Sequence, residues 1–198
     1  MTIANPNHPK KHSRITVQPI RDTRDIENIK KLLSTNTRDL LLFTIGINNG
    51  LRCGDLLKLT VNDVKNLKPG ETLTIREQKT GKDNILMVNK TTHKILKQFL
   101  GETKSGDDQY LFKSRKGNTP LTVGSVNAMV KEWCRSINLK GNYGTHSLRK
   151  TFGYIQRKKF GVGWEILCKR FNHSSPAVTM RYLGIEDREV SGILMNEI

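Results

Sequence analysis

Two helical periods open the ordered part of the chain. From Thr23, the apolar residues Ile26, Ile29, Leu32 and Leu33 recur at the spacing of an amphipathic surface helix. From Thr37 the run LLLFTIGI is apolar all round, which predicts a buried helix; Gly50 ends it, and a short helix begins near Arg52. The period shortens over 71–89, where ETLTIREQ and NILMV, rich in Thr, Ile and Val, flank the turn KTGKD and predict a β-hairpin. A helix over Thr91–Leu100 and a strand-like YLF at 110–112 follow. Over Thr122–Leu139, Val123, Val126, Met129, Val130, Trp133, Cys134 and Ile137 form one stripe, the mark of a core helix. HSLRKTFGYIQRKKF and WEILCKRF continue as helices. Ser175 and Pro176 supply an N-cap and a first-turn proline for AVTMRY, and a last helix runs from about Glu186. The pattern predicts a mainly α fold with a small antiparallel β-sheet, an α+β chain. Its 198 residues suit one sizeable core. Residues 1–20, polar, basic and broken by Pro6, Pro9 and Pro19, read as a flexible leader, 21–185 as the domain and 186–198 as a helical tail.

Charge changes the picture. The formal net charge is +16, where about 2 to 8 suffices for solubility of a small domain, so the expected partner is a polyanion. The excess concentrates in 131–182, which carries eleven Lys or Arg against Glu132 and Glu165 alone. After Tyr182 the sign reverses, with Glu186, Asp187, Glu189 and Glu197 against Arg188. A mean hydropathy of -0.52 and no long apolar run exclude a membrane-spanning helix and an export signal. Cys53, Cys134 and Cys168, an odd set with no CxxC pair, read as reduced, intracellular and buried.

The candidate chemistry lies in a series: Arg52 and Asp55 in GLRCGDLL, Lys79 in QKTGK, His146 and Arg149 in HSLR, His173, and Tyr182 nine residues later in NHSSPAVTMRYLG. A tyrosine that attacks a phosphodiester must lose a proton with a reference pKa of about 10 and approach a group already negative. Two guanidiniums can clamp the nonbridging oxygens, and Arg149 and Arg52 are the candidates. A lysine on a hairpin tip can protonate the departing sugar oxygen, and Lys79 holds that place. His146 and Arg149, three apart on a helix, share a face. Taken singly each has an ordinary reading: Arg52 with Asp55 as a helix-start ion pair, Lys79 in a solvated turn, the histidines as structural hydrogen-bonders, Tyr182 as a half-buried anchor. Their joint order and spacing favour the site. No GxxxxGK[ST] or GxGxxG motif supports nucleotide binding, KTG with SLRK imitates penicillin-binding signatures only in reversed order, and no zinc-ligand pair occurs.

The series resembles the tyrosine recombinases, the phage integrase family. The resemblance implies the catalytic-domain fold of that family and site-specific DNA recombination (integration, excision or inversion). In it the positions of Arg52, Asp55, Lys79, His146, Arg149 and His173 assemble the site, and that of Tyr182 becomes linked to a DNA 3′ phosphate. By resemblance Lys79 is the general acid, His146 assists proton removal and Asp55 orients the arginine and histidine shell. No cofactor or metal is implied. The implied partners are double-stranded DNA, further copies of the chain in a homo-tetramer on synapsed sites (a monomer away from DNA), and an accessory or directionality protein. The implied location is cytoplasmic, at a bacterial or phage nucleoid.

Arg52 arrives after only 51 residues, so the resemblance is to short, catalytic-domain-only members such as the fimbrial switch invertases, or to an excised catalytic domain. Asn172 stands where the family usually has glycine, and Lys150 where histidine is frequent. The tail, with Val190, Ile193 and Leu194 on one stripe, docks either on a neighbouring protomer or on its own domain. Two rival readings stay open: DNA relaxation in the manner of a type IB topoisomerase, and a non-catalytic DNA-binding regulator with the same fold.

Overall fold

A computed structural model describes residues 16–103, 106–115, 117–184, 195 and 197. Its elements are α1 (Thr23–Leu32), α2 (Thr37–Asn49), α3 (Cys53–Leu56), α4 (Val61–Val64), β1 (Thr72–Arg76), β2 (Asp83–Met87), α5 (Lys90–Glu102), α6 (Val123–Ser136), α7 (Thr145–Phe160), α8 (Trp164–Arg170) and α9 (Pro176–Leu183). The arrangement is the mainly helical one with a small antiparallel sheet that the hydrophobic pattern implies.

Local capping chemistry sets most of the helix starts. The side chains of Asp22, Asn36, Asn89, Thr122 and Ser175 each accept a backbone N–H from the first turn that follows. Thr60 and Asp63 form a reciprocal capping box around α4, a helix that periodicity alone does not reveal. Helix α7 starts differently, on Gly144, with no side-chain cap of its own. Asn127 Oδ1 accepts from Thr145 N at 3.3 Å, and it approaches so closely that a Cβ at Gly144 would sit 2.2 Å from it. Glycine there lets α6 hold the first turn of α7, from which His146 projects.

Helix α2 lies at the centre. Leu41, Leu42 and Phe43 are fully buried, and Trp133 of α6 stands edge-on to Phe43 at 6.0 Å. Gly50 ends α2 with φ +59, and a Cβ there would meet Phe152 of α7 at 2.4 Å, so both backbone and packing demand glycine. A second, smaller cluster of Leu167, Phe171 and Leu183 joins α8 and α9 to α7. Arg149, His173 and Tyr182 lie where the two clusters meet.

In the hairpin, Thr72 pairs with Met87 and Arg76 with Asp83. One face turns inward through Leu73, Ile75, Asn84, Leu86 and Val88, while Thr72, Thr74, Arg76, Ile85 and Met87 are exposed. Period two carries the inward face on to Glu77, which is 1% exposed.

Four local expectations need correction. Leu32 and Val123, assigned to buried stripes, are exposed at the ends of their helices, where fewer neighbours reach them. Tyr110–Phe112 form no strand: only Tyr110 bridges, to Thr60, and Leu111 and Phe112 serve as buried anchors in an extended loop. The leader is shorter at its described end, since Gln18 N donates to Asn142 O, Ile20 N donates to Thr151 Oγ1, and Ile20 is fully buried. Cys53 is only partly buried, whereas Cys134 and Cys168 are buried, and all three are free thiols. The helix from Glu186 and the stripe of Val190, Ile193 and Leu194 lie outside the described residues. Among the described residues no helix is long and apolar enough to cross a membrane.

Candidate active site

Arg52, Asp55, Lys79, His146 and Arg149 line one cleft of about 190 Å³, together with Cys53, Gly54, Gln78, Val123 and Thr145. Four separate elements supply them: the start of α3, the hairpin turn, the N-terminus of α6 and the first turns of α7. His173 and Tyr182 join from the side. Tyr182 Oη lies 3.3 Å from His146 Nδ1, and the Tyr182 and His173 rings are 5.2 Å apart, nearly edge to face. All seven residues of the sequence-derived series therefore converge, although they span 131 positions of the chain, 52 to 182 inclusive.

Arg149 is the most deeply held, at 2% exposure. Its Nη1 donates to Gly50 O and its Nη2 to Phe171 O at 2.8 Å, and its guanidinium stands 4.5 Å from the Phe171 ring centroid. Burial lowers its pKa to about 10, with Arg52 and Arg170 adding to that and Tyr182 and Glu77 opposing it, so it stays charged at neutral pH.

Arg52 forms its ion pair with Glu77, not with Asp55. Glu77 also accepts from Thr80 Oγ1 at 2.6 Å and from Asn84 Nδ2 at 2.9 Å. Burial acts to raise the Glu77 pKa, but the hydrogen bonds from Thr80, Asn84, Arg52 and Asn172 outweigh it and bring the value down to about 2. Asp55, 3% exposed, accepts the backbone N–H of Gln78 at 3.0 Å, which ties the hairpin turn to α3 beside Lys79.

Both histidines are held neutral at pH 7. Burial first, then Arg149, Lys150, Lys79 and Arg52, push the His146 pKa down. Burial, Arg149 and Arg52 bring His173 to about 4 against an opposing effect of Glu77, and its Nδ1 is 3.0 Å from Thr179 Oγ1. Tyr182 is pushed up to about 12 by burial, which the nearby Arg149 and Arg52 charges only partly offset, so its phenol is protonated at rest. The Lys150 ammonium, on a side chain 7% exposed, stands 5.1 Å from the Tyr182 ring centroid. Among the described residues no three His, Cys, Asp or Glu side chains gather as a metal site requires.

Sequence reasoning missed Glu77, Asn84 and Arg170. The signal for Glu77 was present: it continues the inward alternation of Leu73 and Ile75 and precedes Lys79 by two, so a carboxylate had to enter the interior beside a cation. Arg170 donates to Asn49 O, to Asn84 Oδ1 at 2.7 Å and to Ile85 O at 2.9 Å, and no local pattern announces that. The departure at position 172 is one the backbone tolerates. Asn172 has φ +52, a left-handed conformation that asparagine tolerates better than other residues with a side chain.

The sequence profile of the phage integrase family matches residues 22–189. The chain belongs to that family. It is a tyrosine recombinase, an enzyme of site-specific DNA recombination. The probable integrase/recombinase YoeC of Bacillus subtilis (strain 168) is 37% identical over 174 residues, covering 86% of this chain and 91% of that protein. Among solved structures, the XerA recombinase superposes with a TM-score of 0.74 at 21% identity, over 95% of this chain and 68% of that one. The XerH recombinase, in a post-cleavage complex with its palindromic difH substrate, gives 0.73 at 19% identity, over 92% of this chain and 53% of that one. The recombinase thus spans nearly all of YoeC and about half of XerH, and it has the fold of recombinase catalytic domains.

Proposed function

We propose that this recombinase cleaves and rejoins double-stranded DNA through Tyr182, with Arg52 and Arg149 as the phosphate clamp and Lys79 as the proton donor. The observation that carries the reading is the Tyr182 Oη at 3.3 Å from a neutral His146, at the edge of a cleft that presents two guanidiniums and an ammonium. A polyanion enters that cleft, and the net charge of +16 favours its approach. The scissile phosphate sits between Arg52 and Arg149, with His173 as a further donor. Tyr182 Oη attacks phosphorus while its proton passes toward His146 Nδ1. The bond from phosphorus to the 5′ oxygen breaks, and Lys79 Nζ gives that oxygen its proton. The products are a 3′-phosphotyrosyl ester and a free 5′ hydroxyl, and attack by a 5′ hydroxyl from another strand reverses the step. The resting phenol, with a pKa near 12, is a poor nucleophile. The phenol therefore reacts as its proton passes to His146, in step with attack on a phosphate held by the two guanidiniums.

The reading extends to a homo-tetramer on two paired sites, with an accessory protein contributing to the choice of DNA and the acidic tail docking on a neighbouring protomer. The test is a nicked suicide duplex carrying a cognate site. Covalent capture by the intact chain, lost in Tyr182→Phe, is the expected result. Relaxation of any supercoiled plasmid would favour the topoisomerase reading, and the absence of an adduct on every cognate site would favour a regulator that only binds.

A further inference from the structure

We infer that Asn172 is a positioning residue that keeps the Lys79 hairpin seated against the cleft. The inference rests on the reading of Lys79 as the proton donor. At φ +52 glycine would satisfy the backbone of residue 172 at lower cost, so the conformation alone does not call for a side chain. The side chain present does something glycine cannot. Asn172 Nδ2 donates to Asp83 O at 3.3 Å, at the first residue of β2 where the chain leaves the Lys79 turn, and the amide also helps to lower the pKa of the Glu77 carboxylate on the other side of that turn.

Residues 170–173 grip the hairpin at further points. Asn84 Nδ2 donates to Arg170 O at 3.3 Å, and Arg170 returns bonds to Asn84 Oδ1 and Ile85 O. The same short turn offers Phe171 O to Arg149 and leads directly into His173. One turn thus fixes the proton donor's hairpin relative to the groups that face the phosphate. Lys79 itself is exposed, and the turn around it is held by Thr80 on Glu77 and by Asp55, which accepts from Gln78 N, so its placement depends on how firmly the base of the turn is held. Arg170 is a poor probe of this link because it also caps α2 at Asn49 O. Asn172 touches the hairpin without entering the core.

The experiment is single-turnover cleavage of the suicide duplex by the full chain, comparing an ordinary phosphodiester with one whose bridging 5′ oxygen is replaced by sulfur. A thiolate leaves without a proton, so the sulfur substrate is indifferent to the position of Lys79. Asn172→Gly, which suits the left-handed backbone, should cleave the oxygen substrate about tenfold more slowly and the sulfur substrate within about twofold of the parent, with an unchanged melting temperature. Equal slowing on both substrates, or no slowing on either, overturns the inference. Lys79→Ala, run alongside, separates the two claims. If sulfur does not rescue it, the reading of Lys79 as proton donor has failed, whatever Asn172→Gly does.

Discussion

Tyr182 Oη and His146 Nδ1 face each other at 3.3 Å, and the two groups are shifted apart: the phenol upward to about 12 and the imidazole downward from its ordinary value. At rest the proton stays on tyrosine, and in the tautomer with its proton on Nε2 the neutral imidazole offers Nδ1 to accept it. Cleavage should then be insensitive to pH between about 7 and 8 and fall on the acid side, with a midpoint below the usual imidazole value of about 6.5. His173, at about 4, titrates too low to produce that limb. Single-turnover adduct formation between pH 5 and 8 measures it, and in His146→Gln the limb should disappear along with most of the rate. An acid limb that survives the substitution would remove His146 from the proton path.

Arg149 has a structural duty besides the phosphate-clamping role proposed for it. Its bonds to Gly50 O and Phe171 O fill carbonyls at the end of α2 and in the turn before His173. Arg149→Ala leaves both buried acceptors empty and should destabilise the fold by about 2 to 4 kcal/mol, together with a loss of cleavage of at least about 100-fold. Thermal melting beside adduct formation resolves the two effects. An unchanged melting temperature would contradict the capping role.

Glu77 should contribute stability that depends on acid. Its folded pKa of about 2 lies below the unbound value of 4.5, so its contribution is complete above about 4.5 and is lost as pH falls from there toward 2. The size is on the order of 3 kcal/mol, since the value falls from 4.5 to about 2 and one pKa unit is about 1.4 kcal/mol. His173 works in the same direction at higher pH: its unfolded form protonates near 6.5 and its folded form only near 4, so stability also falls across that interval. Urea midpoints from pH 7 to 3 for the parent and Glu77→Gln isolate the carboxylate, because the variant should keep the histidine-linked slope and lose the steeper part below 4.5.

Gly153 sets how closely α9 approaches α7. A Cβ there would lie 2.7 Å from Phe171 and 2.8 Å from Leu183, the neighbour of Tyr182. Gly153→Ala should cost about 1 to 3 kcal/mol by overpacking and displace Tyr182, the proposed nucleophile. The cleavage rate should fall by about tenfold or more, while DNA affinity in a gel-shift titration changes little. Comparable losses of affinity and rate would mean that the displacement is not confined to α9.

Much of the molecule is legible along the chain because its causes are local. Helix α2 is apolar over every face, the hairpin alternates with period two, and Ser175 with Pro176 starts α9 whatever surrounds it. The order Arg52, Lys79, His146, Arg149, His173, Tyr182 is likewise a property of the string. Reading it as a site needed no distance, because few other uses explain all six at once. The misread stretches were those where local signals were weak or misleading. Tyr110–Phe112 has strand composition but no partner strand, and the helix at Val61 is announced only by its capping box.

What tertiary structure alone decided was which charge meets which. Asp55 stands three residues from Arg52, the spacing of a local ion pair, yet Arg52 reaches instead to Glu77, because the inward face of the hairpin delivers a buried carboxylate that must find a cation. Helix α2 has no basic residue in its last turn, and its terminal carbonyls are filled by Arg149 and Arg170, 99 and 121 residues away in sequence. Sequence determined the elements and the chemical inventory, since periodicity and capping act over a few residues. Burial determined the pairings, because desolvated charges and carbonyls take whatever partner the packed fold brings within reach.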